Sequence, residues 1–224
     1  MTADARQAQS RKPADGRPSA AVAPARLRRL NRWLVEGVRE DLADLYTESR
    51  ATAPGDPYPG PGRRNFLKRL TTNMHRPGFA LVIAETDRLM GCAFGFPVRA
   101  DGSWWSGLDR TLPPGIDQLT LSGGVFAFGD ILIRPHAQDR SLARRVQERL
   151  LTDHQASLGA TLVDRTDHPA LAAVRSWGWL DVGELRRPAG PTTFRALVLP
   201  VGEQSAARLE GLVEMPGGGG PGGA

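Results

Sequence analysis

Apolar residues along the chain fall into two alternating rhythms. Val35, Val38, Leu42, Leu45 and Tyr46 recur at helical spacing, with Glu36, Glu40, Asp41 and Asp44 mostly between them, which predicts an amphipathic helix. Pro54, Pro57, Pro59 and Pro61 break the chain, and Phe66, Leu67, Leu70 and Met74 predict a second helix over 63–74. Two apolar runs, 79–84 and 89–98, flank the polar Glu85-Thr86-Asp87-Arg88 and read as a hairpin. Residues 99–124 are rich in Gly, Ser and Pro, hold Trp104 and Trp105, and show no clear period; a loop this long usually carries a function or is disordered. Then the pattern sharpens. A strand over 125–133 stops before Pro135, Leu142, Val146, Leu150 and Leu151 mark a helix to about residue 156, and a buried-type strand covers 160–163. Strand, helix and strand in so short a span form a crossover, and a crossover joins parallel strands. A short helix over 169–177 and strands over 179–185 and 193–199 complete the body. An early antiparallel hairpin and a later crossover predict an α/β (α+β) domain built on a mixed sheet.

The ends lack this pattern. Residues 1–26 have no large apolar side chains at a regular period and are expected to be a disordered Arg/Ala/Pro-rich arm, while 202–224 end in glycines and read as a flexible tail. The expected globular domain is 27–201. Charge follows the same division. The formal net charge is +5, but residues 1–35 hold eight basic groups against two acids, so the rest of the chain sums to −1. A uniformly basic surface is therefore excluded, and nucleic acid is expected as a partner only through the arm. Cys92 is the only cysteine, which rules out an internal disulfide and a multi-thiolate zinc site. No apolar run approaches the roughly 20 residues of a membrane span, and a cytoplasmic setting is expected. The four histidines are scattered, and no metal site is expected.

The segment from Ile131 to Ala143 is the most informative. It carries a strand through a polar turn into a helix whose first amides lack intrahelical partners and lie at the positive end of the helix dipole, a place where a phosphate can bind. Small residues at Ser141 and Ala143 let a ligand approach the backbone, although Ser141 taken alone also suits a helix cap. Gln138-x-x-Ser141-x-Ala143 after Ile133-Arg134-Pro135 resembles the acetyl-CoA-binding segment of the GNAT (GCN5-related N-acetyltransferase) superfamily. Ala160 to Val163, Asp167-x-x-Ala170 and Trp177-Gly178-Trp179-x-x-Val182-Gly183 resemble later parts of the same pattern, and the Trp variants look most like acetyltransferase-like proteins of actinobacteria. The resemblance covers about 80–201 well and 35–79 loosely.

The resemblance implies a twisted mixed sheet of six or seven strands flanked by about four helices. It also implies transfer of an acetyl or small acyl group from acetyl-CoA to a small-molecule or protein amine, by a monomer or homodimer. It assigns the pantetheine arm to Ile131 and Ile133, and the pyrophosphate to Gln138, Arg140, Ser141, Leu142 and Ala143. Such a cofactor would need the strands ending near Ile133 and Val163 to splay apart. Asp130, on the cofactor-binding strand, is the first candidate base; Asp167 and His168, at the start of the next helix, come second and equally suit capping. Trp104 and Trp105 are candidates for lining an acceptor pocket or for pinning the excursion to the core. Two departures stand out: the family's Gly is Ser141, and the family's Tyr falls at Val174. Tyr46 and Tyr58 are far off in sequence. The alternative expectation is thus a GNAT-fold protein that has lost turnover and serves as an acyl-CoA-binding or regulatory module.

Overall fold

The computed structural model describes residues 25–50, 60–135, 140–188 and 190–202. Among them, seven strands form one sheet in the order β1-β2-β3-β4-β5-β7-β6. The strands are β1 (Arg26–Leu30), β2 (Ala80–Glu85), β3 (Leu89–Pro97), β4 (Val125–Ile133), β5 (Leu158–Asp164), β6 (Leu180–Arg186) and β7 (Thr193–Pro200). All neighbours pair antiparallel except β4 and β5, which the helix α5 (Arg140–Asp153) joins as a parallel pair. This is the α/β mixed sheet that the apolar pattern predicts, and its seven strands fall within the six or seven that the resemblance implies. The remaining helices are α1 (Arg32–Glu36), α2 (Arg39–Arg50), α3 (Gly60–Met74), α4 (Pro114–Leu121) and α6 (His168–Ser176).

Among the described residues there are six α-helices rather than about four. The predicted first helix divides at Gly37 into α1 and α2, and the 99–124 excursion contains α4 and a single 3-10 turn, Ser103–Trp105. A second difference concerns the basic start of the chain. Arg26, Arg28 and Arg29 belong to the edge strand β1, where Leu30 is buried and Arg28 binds Glu85 of β2 through two bonds of 3.1 and 3.3 Å. Arginine on an edge strand discourages a further strand from adding to it. With only Leu27 and Leu30 as large apolar residues, β1 left no periodic signal.

Helices lie on both faces of the sheet. The α5 stripe of Leu142, Ala143, Val146, Leu150 and Leu151 packs with Leu171 and Val174 of α6 against Ala80, Val82, Ala93, Phe126 and Phe128. Gln147 is fully buried in this layer, yet its carbonyl accepts from Trp179 Nε1 at 2.7 Å and its amide donates to Ala143 O at 2.8 Å. Both polar ends are therefore matched, which removes the cost of burying them. On the opposite face, α2 and α3 cover the β1–β4 side through Leu42, Leu45, Phe66 and Leu70, and the excursion covers the β5–β7 side through Trp105, Ile116 and Leu119.

Candidate active site

The site begins with a defect in β4. Its residues Val125 to Phe128 pair with Leu158 to Thr161 of β5, and there the pairing stops, although β4 runs on to Ile133 and β5 to Asp164. β5 beyond Thr161 keeps its β7 partners, and β4 beyond the break keeps its β3 partners. Two strand edges are thus left facing each other across an opening wedge. A bulge causes the break: Phe94 pairs with Asp130 and the next residue, Gly95, with Phe128, so Gly129 is an extra residue in β4. A bulge bends its strand and strengthens its twist. Gly129 is required by close packing, since a Cβ there would lie 2.7 Å from the Phe94 ring and 3.2 Å from Asn73 Nδ2.

The extra residue also reverses the side-chain alternation. Before it, Phe126 and Phe128 face α5; after it, Ile131 and Ile133 do so, and Asp130 and Leu132 turn toward α2 and α3. Asp130 therefore enters a polar group rather than the α5 core. Its side chain is only 11% exposed and accepts from Arg69 of α3 at 3.2 Å. Burial pushes its carboxyl above the ordinary carboxylate range, and the charges of Arg69 and Arg50 pull it partly back. Arg69 also hydrogen bonds to Tyr46, whose ring stacks on Phe66 at 4.7 Å, with the guanidinium 5.5 Å from the Tyr46 ring centroid. Arg50, at the end of α2, bonds to Asp167. Asp167 uses its other oxygen to cap α6, accepting from Ala170 N at 3.0 Å.

Two residues far apart in sequence, Asp130 and Asp167, are thus brought into one cluster with Tyr46, Arg50 and Arg69. Tyr46, distant from the motif in sequence, is the addition that linear reasoning missed; its helical spacing marked it only as core. His168 is exposed at the start of α6. Val174 is 7% exposed and packs in the α5 layer.

The proposed cofactor residues occupy the wedge and the turn beyond it. Ile131 and Ile133 lie on the stretch of β4 that pairs with β3 but not with β5, and Ser141, Leu142 and Ala143 in the first turn of α5, with Leu142 and Ala143 side chains buried and Ser141 exposed. Gln138 and the Arg140 side chain lie outside the described residues. Open backbone edges suit a ligand arm that carries amides, because such an arm can bond as an added strand does. Trp105 is 5% exposed and donates its indole N–H to Thr120 Oγ1 at 3.0 Å, so it pins the excursion to the core. Trp104, edge-on to Trp105 at 4.5 Å, is the half-buried member and carries Arg187 over its ring.

No protein-family model and no curated protein matches the chain. Among solved structures, an acetyltransferase from Thermus thermophilus is 16% identical with a TM-score of 0.48, covering 80% of this chain and 99% of its own. A spermidine N-acetyltransferase from Vibrio cholerae is 14% identical with a TM-score of 0.47, covering 84% and 99%. A ribosomal-protein-S18-alanine N-acetyltransferase from Escherichia coli is 15% identical with a TM-score of 0.43, covering 80% and 97%. At these values the reading of the site rests on the residues of this chain.

Proposed function

We propose that the protein is a GNAT-type N-acyltransferase that moves an acetyl or small acyl group from acetyl-CoA to an amine. The observation that carries this reading is the wedge between β4 and β5, opened after four paired residues by the bulge at Gly129. The backbone of Ile131 and Ile133 would hold the pantetheine arm, and the turn formed by Gln138, Arg140, Ser141, Leu142 and Ala143 the pyrophosphate. The acyl carbon then lies near the side of β4 that bears Asp130. In the reaction, the amine nitrogen attacks the thioester carbonyl, the C–S bond breaks, the nitrogen loses a proton and the departing thiolate gains one. Asp130, whose affinity for a proton is raised by burial, is assigned to accept the amine proton directly or through water. Asp167 and His168 are the second-choice bases. Arg69 fixes the Asp130 carboxylate, and Tyr46 fixes Arg69. Trp104, backed by Trp105, walls the acceptor side.

One observation favours a second reading, an acyl-CoA-binding or regulatory module without turnover. The position of the family's tyrosine is the buried Val174, which has no proton to give to a leaving thiolate. Under either reading the domain is taken as 26–201, because Arg26 of β1 pairs with Glu85, and is assigned to the cytoplasm. Titration with acetyl-CoA and CoA, followed by a thiol-release screen against amines, decides among them. Binding with turnover supports the enzyme, binding without turnover across a broad panel supports the module, and no binding refutes both.

A further inference from the structure

A cavity of about 480 Å³ opens beside α1, between that helix and the chain that leads from the end of α3 into β2. Its volume falls within the roughly 300–1,000 Å³ of sites that take small molecules. It lies apart from the proposed cofactor site. Ile133, the last residue of β4 before the proposed pyrophosphate turn, pairs with Gly91, which pairs with Ala84 near the end of β2. Phe79 lines the cavity and precedes Ala80 at the start of β2, so the two sites sit at opposite ends of that strand, about 13 Å apart along it at ordinary strand rise. Both walls of the cavity are fixed by the chain's own contacts. On one, the Asn31 side chain caps α1 by accepting from the Trp33 and Leu34 amides, each at 3.1 Å, and Val35 is fully buried, so Trp33 is held outward with 71% of its surface exposed. On the other, the Phe79 amide donates to Arg76 O at 3.2 Å across Pro77 and Gly78, whose φ of 73° suits the third position of a type II turn. His75 Nδ1 donates to Thr71 O at 2.7 Å, and the Arg76 guanidinium rests 4.4 Å from the Phe96 ring centroid.

The lining is basic and aromatic at once. Arg32, His75 and Arg76 line the cavity together with Trp33, and no acidic residue does so among the described residues. Arg28, Arg29 and Arg39 are each paired with a carboxylate, that of Glu85, Asp153 and Glu36 respectively. Arg32 and Arg76 have no acidic partner among the described residues. Arg32 lies instead over Trp33, its guanidinium 4.6 Å from the ring centroid, so a cation and an indole ring enter the lining side by side. An indole so exposed offers a flat apolar face on which another flat ring stacks, and guanidiniums without a counter-charge bind carboxylate or phosphate through charge-assisted bonds. An inorganic anion alone would leave most of the cavity, and the ring, unused. We propose that this cavity binds a small molecule built of a flat ring that carries a carboxylate or phosphate, with the ring on Trp33 and the anionic group at Arg32 and Arg76. A nucleotide and an aromatic acid share this chemistry. An uncharged ring lacks one of the two contacts, and a bare phosphate lacks the other. The site does not depend on the acyl-transfer reading.

The test uses the full chain, Trp33→Ala, Arg32→Gln combined with Arg76→Gln, and Leu34→Ala as a control, since Leu34 is 52% exposed on the same helix but does not line the cavity. Thermal unfolding and equilibrium dialysis are followed with uridine monophosphate, salicylate, uridine and inorganic phosphate, each with and without saturating CoA. Uridine is chosen so that the probe does not share its base with CoA. The wild type should gain Tm with uridine monophosphate, with salicylate or with both, by mass action on the folded state, and which of them acts identifies the source of the ring-bearing anion. Uridine and phosphate should bind at least about 10-fold more weakly, the loss expected when one of two contacts is missing. Trp33→Ala should weaken binding about 5- to 100-fold and the double Gln variant about 10- to 100-fold, the usual losses for a stacked ring and for a charge-assisted contact. Leu34→Ala should not change it, and saturating CoA should leave the Tm gain in place. The site is overturned if neither ring-bearing anion binds, or if affinity is equal in the wild type and either the Trp33 or the double variant. Phosphate that binds as tightly as the ring-bearing anion, or a Tm gain lost when CoA is added, overturns it too. Failure of CoA itself to bind refutes the acyl-transfer reading instead, and the cavity is then decided by the variants alone.

Discussion

The two halves of β4 differ in their partners and in the side chains they present. Val125 to Phe128 are buried, sit between β3 and β5, and serve only packing. From Asp130 to Ile133 the same strand has lost β5, shows a carboxylate to the α2/α3 face, and keeps only β3 beside it. One inserted residue separates them. A sheet interior is a poor place for chemistry because its backbone groups are taken and its side chains are apolar. A bulge frees one backbone edge and re-aims one side chain without unfolding the strand. The first half provides the rigidity and the second half the open valences.

That contrast can be broken at several points. The largest expected effect is on stability in the first half: Phe126→Ala should cost about 3–5 kcal/mol in chemical denaturation, because the ring is fully buried and packs on Phe128 at 5.4 Å. In the second half, Asp130→Asn should lower kcat/KM by roughly 10²- to 10⁴-fold, the usual contribution of a positioned base. Its effect on unfolding should be far smaller than that of Phe126→Ala, since burial already disfavours the charge it removes. A mutant that unfolds but retains turnover per folded molecule would reverse the assignment of the two halves. At the junction, Gly129→Val should destabilise by about 1–3 kcal/mol through overpacking against Phe94 and Asn73 and should weaken acetyl-CoA binding, measured by titration.

A smaller effect concerns pH. The base must be deprotonated to work, so kcat/KM should fall on the acid side through the pKa of Asp130, which burial places above the ordinary carboxylate value of about 3.9. Arg69 lowers that pKa, so Arg69→Gln should move the acid limb to higher pH. A limb that stays in place would remove Asp130 from the base role. The smallest expectation is a silent one: Cys92 is fully buried and its thiol is pushed upward by burial, so the native protein should not consume a thiol reagent until it is denatured.

Most of the strands and the crossover were legible because apolar runs of the right length end at turn residues. β1 was not, since an arginine-rich edge strand resembles a charged tail. Nor was α4, where Ile116, Leu119 and Thr120 are buried within eight residues that begin with Pro114. The site was legible only in part. Asp130 was picked out by its place on the strand that the resemblance assigns to the cofactor, and Asp167 by its place at a helix start. Their connection through Arg50 and Arg69 was hidden, because both arginines lie on helices whose sequence signals only an apolar stripe. Tyr46 was read as a core position, and it is one: it is buried against Phe66 and also bonded to Arg69.

The most direct test of the account is hydrogen exchange of the backbone amides with and without acetyl-CoA. The expected result is slow exchange across Val125 to Phe128 in both states, and fast exchange on the open edges of Asp130 to Ile133 and Leu162 to Asp164 that slows when acetyl-CoA is added. Unchanged exchange along both edges of the wedge at saturating acetyl-CoA would contradict it.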